Sequence, residues 1–197
     1  VLAPRVQGER SAESQRVVWG GPEYRVMSLD DLLRGDAVAV SGVVMSTSTH
    51  MGAGSEASIV FTSCVFQVDR WIPESRSSGS SITVDFVGGV YRGTDGRTSE
   101  LRLSNRLGGH PEWIMESPRV GQRLLLFVKR VETGRYVLGE APPRWQLLET
   151  WHSSFELTSA GRVKPRGPDQ GINTQFLNKD VESFIKDVEA AFKRRAK

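Results

Sequence analysis

The chain has 197 residues, 38% hydrophobic and 25% charged, and its 26 Lys and Arg nearly cancel its 23 Asp and Glu to leave a formal charge of +3. That is long enough to bury a core without staples and too apolar for a disordered protein. Arg is scattered along the chain, which argues against a dedicated nucleic-acid binder, whose basic residues gather in a patch. The single cysteine, Cys64, excludes an intrachain disulfide and a multi-cysteine metal site. No apolar run approaches the ~18 residues of a membrane span.

Residues 1–22 read as an extended N-terminal arm. Val1 to Gln15 is polar and charged and offers little to offset the entropy of ordering. Val17-Val18-Trp19 is a short apolar patch before the turn Gly20-Gly21-Pro22. It suits a strand that adds to a sheet edge, in the same molecule or in a neighbour. The first residue is Val, not Met. That fits a removed leader, with Ala3 near the cleavage point, or a start within a longer product.

Residues 23–162 read as one β-domain. Ser28 is placed to cap a short helix over Leu29-Asp30-Asp31-Leu32-Leu33, which Gly35 ends. Ala37 to Met45 is a strand interrupted at Gly42, where a bulge or bend is expected. Ser46 to Ser55, rich in Ser, Thr and Gly, reads as a loop. Ile59 to Arg70 is the clearest strand, with Val60, Thr62, Cys64, Phe66 and Val68 toward the core. Pro73 to Ser80 is a turn. Ser81 to Val87 is a strand with Ile82, Val84 and Phe86 on one face, which leaves Asp85 to solvent. Thr94-Asp95-Gly96-Arg97 is a hairpin turn. Leu124 to Val128 is a strand buried on most sides, and Trp145 to Thr150 and Ser154 to Leu157 are two short last strands.

Residues 163–177, with their Pro, Gly and basic residues, read as a linker. Residues 178–197 read as a C-terminal helix capped by Asn178, its stripe formed by Val181, Phe184, Ile185, Val188 and Phe192. Lys193, Arg194 and Arg195 suit the negative end of its dipole. Strands outnumber helices and turn signals fall every eight to twelve residues, the pattern of a sandwich or barrel.

Chemistry is sparse. Cys64 is the one candidate thiol nucleophile, and its strand position buries it. His50, His110 and His152 belong to no metal-ligand motif. Gly88-Gly89-Val90-Tyr91-Arg92-Gly93 lacks the lysine and the spacing of a phosphate loop. No G-x-S-x-G elbow occurs. Asp30-Asp31 reads as a pair of first-turn helix acids, with a calcium pair as the alternative. No catalytic residue, metal or cofactor is implied. Trp145 and Trp151, with Arg135 and Arg144 and, nearby, Trp113, Tyr136, Phe155, Arg119 and Arg123, have two readings. They form a stacking surface for a ligand, or the rings pack in the core.

One stretch resembles a known group. Leu29 to Leu148 runs through Ser-Leu-x-x-Leu, Gly-Asp-Ala-Val-Ala-Val-Ser-Gly-Val-Val and Phe-x-Val-Asp-Arg. A strand ending Val-Gly-Gly follows, then Pro-x-Val-Gly-Gln-Arg-Leu-Leu-Leu-Phe-Val and Tyr-Val-Leu-Gly. This order resembles uncharacterised, often exported bacterial β-domain proteins, and distantly the OB-like barrel of netrin-type modules and tissue inhibitors of metalloproteinases. Netrin-type modules depend on disulfides, which one Cys cannot make, and Val1 cannot place a thiol on a protease zinc, so that mode of inhibition is not implied. The resemblance implies a closed Greek-key barrel of about five strands.

The sequence therefore predicts an all-β, OB-like Greek-key barrel with a short N-terminal helix and one C-terminal amphipathic α-helix. The expected function is that of a non-enzymatic, exported or extracellular domain acting through protein contacts with a partner or with copies of itself, as a subunit of a surface assembly. Val17, Val18 and Trp19 are the candidate contacts. The alternative is an OB-like module for single-stranded nucleic acid or carbohydrate, using the Trp and Arg surface. A cytoplasmic location is the alternative to export.

Overall fold

The computed structural model describes residues 14–18, 28–33, 35–52, 59–94, 96, 98–105, 113–114, 116–131, 144–148, 152–168 and 171–195. The chain runs through β1 (Ser14–Val18), α1 (Leu29–Leu32), β2 (Val38–Met51), β3 (Val60–Ile72), β4 (Ser81–Val87), β5 (Gly89–Arg92) and β6 (Thr98–Asn105). There follow β7 (Trp113–Ile114), β8 (Arg123–Arg130), β9 (Arg144–Leu147), β10 (Ser154–Leu157), β11 (Val163–Pro165), α2 (Ile172–Phe176) and α3 (Val181–Arg195).

Five of these strands close a barrel. Around the ring, β8 pairs with β2, β2 with β3, β3 with β4, β4 with β9, and β9 returns to β8. The β4–β9 contact is parallel and the other four are antiparallel. The last barrel strand thus lies between the third and the fourth, the Greek-key order of an OB-like barrel. Closure removes the unpaired sheet edges that an open sheet of this size would expose.

The longest ladder, β2 with β3, runs from Ala39↔Ile72 to Met51↔Val60. Its register shifts twice. Asp69 is the extra residue between the pairs Ser41↔Arg70 and Gly42↔Val68, and Met45 the extra residue between Val44↔Phe66 and Ser46↔Val65. The first shift lies at Gly42, where the sequence placed a bulge. A Cβ on Gly42 would stand 2.0 Å from the Gln67 carbonyl oxygen, so the close approach of the two backbones requires glycine. The Asp69 bulge reverses the alternation of β3, so that Phe66 before it and Trp71 after it both enter the barrel. The loop expected from Ser46 is corrected: β2 continues to Met51. Backbone pairing with β3 holds that stretch, and its small polar side chains stay exposed or half-exposed.

Two apolar clusters meet on β8. Leu124, Leu126 and Val128 point into the barrel with Val38, Val40, Cys64, Phe66, Trp71, Val84, Phe86 and Trp145. Leu125 and Phe127 point outward into a second cluster built from α1, β10, β11, α2 and α3. Both faces of the strand are covered, which is why Leu124 to Val128 is an unbroken apolar run. At the centre of the outer cluster Phe155 meets Phe127, Phe176 and Phe184 at ring distances of 5.9, 6.1 and 5.1 Å. The helix stripe read from the sequence buries here: Phe184, Ile185, Val188 and Ala191 are covered, and Val181 and Phe192 pack at the rim.

The ends of the helices follow local chemistry. Ser28 Oγ accepts from the Asp31 N–H, as expected for the cap of α1. The cap of α3 is Asp180, whose carboxylate accepts from the Ser183 N–H at 3.0 Å. Asn178, the expected cap, has φ 62°, outside the extended backbone that an N-cap adopts, and its own N–H goes to the Val163 carbonyl. The linker expected over residues 163–177 is corrected too. Val163–Pro165 pairs with β10 as an edge strand, where a proline is tolerated, and α2 buries Ile172 and Phe176.

A second, smaller sheet lies across the β2–β3 hairpin. β6 pairs in parallel with β1 along one side, and with β5 and β7 along the other. Gly88 and Gly89 lead into it at φ 105° and 135°. A Cβ on Gly89 would lie 2.4 Å from Thr62 Oγ1. Thr62 donates to the Gly88 carbonyl and Thr49 to the Val90 carbonyl, so hydroxyls of the hairpin hold this crossing.

Candidate functional site

The expected arm contacts lie in a defined strand. Val17 and Val18 stand opposite Leu103 and Ser104 of β6 in the same chain. Val17 and Val18 therefore complete a sheet of their own chain, and β1 is an edge strand with β6 as its neighbour. Trp19, Trp151 and Arg135 lie outside the described residues, as do Tyr136 and His110. Arg144 opens β9 opposite Thr83.

Trp145 stands in the barrel core, not on a ligand surface. It is 4% exposed and packs at 5.4 Å from the Trp71 ring. A stacking platform needs an open face, and this ring has none. Its Nε1 is buried without a hydrogen-bond partner, whereas Trp71 Nε1 donates to the Gly79 carbonyl at 2.8 Å. Phe155 is likewise buried in the outer cluster. Two of the neighbouring arginines are engaged in ion pairs, Arg123 with Asp69 and Arg119 with Glu116.

One Ser, His and Asp constellation does assemble, and the sequence reading missed it. Ser63 on β3 stands directly opposite Asp85 on β4, and His50 reaches Ser63 from β2. Asp85, expected at the solvent face, is buried. The Ser63 hydroxyl donates to Asp85 Oδ1 at 2.5 Å, and His50 Nδ1 lies 3.2 Å from the same hydroxyl oxygen. With the hydroxyl proton given to the carboxylate, Nδ1 must donate to Ser63. A hydrolytic triad needs the reverse: the serine gives its proton to imidazole, and the acid holds the other ring nitrogen. The cluster is wired as a pin across three strands. Neighbouring registers produce it, and they depend on the length of the β2–β3 hairpin and on the bulges.

Cys64 is buried, and burial pushes its thiol up to about 12 against the opposing pull of the Arg166 guanidinium. At neutral pH it is a protonated core residue rather than a nucleophile. Arg166 is itself held largely out of water. It lies 5.9 Å from the Phe86 ring centre and donates through Nη2 to the Glu116 carbonyl, while Nη1 is buried without a partner. Burial lowers the affinity of this guanidinium for its proton.

Asp30 and Asp31 serve helix ends. Asp31 accepts from Ser28 Oγ, and Asp30 receives Arg194 of α3 at 3.1 Å. Among the described residues no group of three His, Cys, Asp or Glu side chains is placed to hold a metal ion. Among them, too, no helix is long and apolar enough to cross a membrane. A cleft of about 580 Å³ opens between the end of β3 and the last turns of α3, lined by both apolar and charged side chains.

No family model matches this chain, and neither a curated protein nor a solved structure matches it.

Proposed function

We propose that this chain is a non-enzymatic β-domain that acts through protein contacts, with the arm strand β1 as the element that couples one molecule to another. One observation carries the reading. β1 joins the fold as an added strand, in parallel on β6, with the whole β2–β5 region between the two in sequence. Backbone hydrogen bonds of this kind are made equally well to the same edge of a second copy. Exchange between identical chains creates no new contact type, so concentration alone tips the balance. The resemblance to exported bacterial β-domains gives this coupling a setting, a surface or extracellular assembly.

Light scattering of the full chain over a range of concentration tests the reading. The expected result is a mass that rises with concentration, and a monomer at every concentration once residues 1–21 are deleted. A full chain that stays monomeric throughout, or a deletion that leaves the mass curve unchanged, contradicts it.

A further inference from the structure

The cleft beside α3 has the composition of a binding site for an organic phosphate. Ile72 forms a buried apolar floor and Phe192 a half-buried wall. Its rim holds Arg76, Lys193 and Arg195. Two of these cations are anchored. Arg76 Nη1 donates to the Ala37 carbonyl at 3.3 Å, and Arg195 Nη2 to the Gly35 carbonyl at 3.0 Å. Carbonyls two residues apart therefore bring the two guanidiniums to one short segment, and most of their N–H donors remain for another acceptor. On the acidic side, Glu189 is already met by Arg70, which leaves Glu74 against three cations.

We infer that this cleft binds a small phosphate monoester carrying an apolar or aromatic body. Anchored arginines suit the tetrahedral oxygens of phosphate because the planar fork binds two of them at once. A dianion answers the excess of positive charge better than a singly charged carboxylate does. The volume lies within the range of about 300–1,000 Å³ typical of small-molecule sites, and the apolar floor gives the organic part a place to leave water.

Calorimetric titration of the full chain with 1-naphthyl phosphate tests the assignment. The expected result is saturable one-to-one binding with a Kd below about 1 mM. Inorganic phosphate and 1-naphthol, each lacking half of the ligand, should bind at least about tenfold more weakly, a difference of the size of one good interaction. Lys193→Gln and Arg76→Gln should each weaken binding about tenfold. Lys193 is exposed, so its substitution should leave the thermal unfolding curve in place. Three results overturn the proposal: no saturable binding, equal affinity for inorganic phosphate and 1-naphthyl phosphate, or full affinity retained in the Lys193→Gln and Arg76→Gln variants.

Discussion

The two flanks of the barrel are held on by different physics. On the β8 flank, α1, β10, β11, α2 and α3 share a continuous apolar cluster, and five aliphatic or aromatic residues of β8 are wholly buried between the two cores. On the other flank, Leu101 alone is buried among the described side chains of β5 and β6, and the crossing rests on hydroxyl-to-carbonyl bonds and backbone pairing. Buried side chains tie a layer to one particular surface, because shape and volume must match. Backbone pairing is less choosy. It holds an edge in place and leaves it exchangeable, which is why the arm strand on that flank is the element suited to coupling.

The comparison can be broken from either side. The largest effect should come from Phe155→Ala, which removes the ring that Phe127, Phe176 and Phe184 surround. A buried Phe truncated in this way costs about 3–5 kcal/mol, and denaturant unfolding of the variant should show a loss of that size. A loss under about 1 kcal/mol, the level of a surface change, would mean that the outer layer is not a packed core.

Gly89→Ala should come next. It places a Cβ against Thr62 Oγ1 and forces an L-residue into φ 135°. Backbone strain of this kind costs about 1–3 kcal/mol. Hydrogen exchange should show the loss concentrated in β5 and β6, with β8 keeping its protection. Uniform loss across both flanks would erase the distinction between them.

The smallest effect belongs to Asp180→Ala at the start of α3. Hydrogen bonds from Ser183 hold the Asp180 carboxyl below the usual carboxylate range. Its folded pKa is depressed, so its contribution is present above the unfolded value of about 3.9 and is lost as pH falls through the folded value. The variant should therefore be less stable than the parent at pH 7, and the gap should close in acid. A gap that stays constant down to pH 2 would show that the carboxylate does not act as the cap.

The apolar barrel strands and the long C-terminal helix are the parts that the sequence made legible. β3, β4 and β8 were read from alternation or an unbroken apolar run, and α3 from its 3.6-residue stripe, because those patterns record which faces are covered. The end of β2 was misread because Ser46, Thr47 and Ser48 carry a loop's composition while their backbones pair with β3. Residues 163–177 were misread for a similar reason: their Pro and Gly masked the buried Val163, Ile172 and Phe176. Asp85 was placed in solvent because a lone acid in a strand shows nothing of the serine across the ladder. Site residues share this difficulty throughout. Ser63 with His50, or Arg76 with Arg195, become neighbours only when register and packing are known.

The arm's role can be trapped directly. Val17 and Leu103 are register partners in the β1–β6 ladder, so cysteines at both positions are placed to form a bridge wherever that ladder forms. The native Cys64 is buried and its thiol is held protonated, so it should not interfere. The double variant is oxidised at low and at high protein concentration and its mass is read without reductant. If β1 couples copies, linked dimers and larger species appear and grow with concentration. If only internally linked monomer forms at every concentration, the strand serves its own chain and the proposed coupling is wrong.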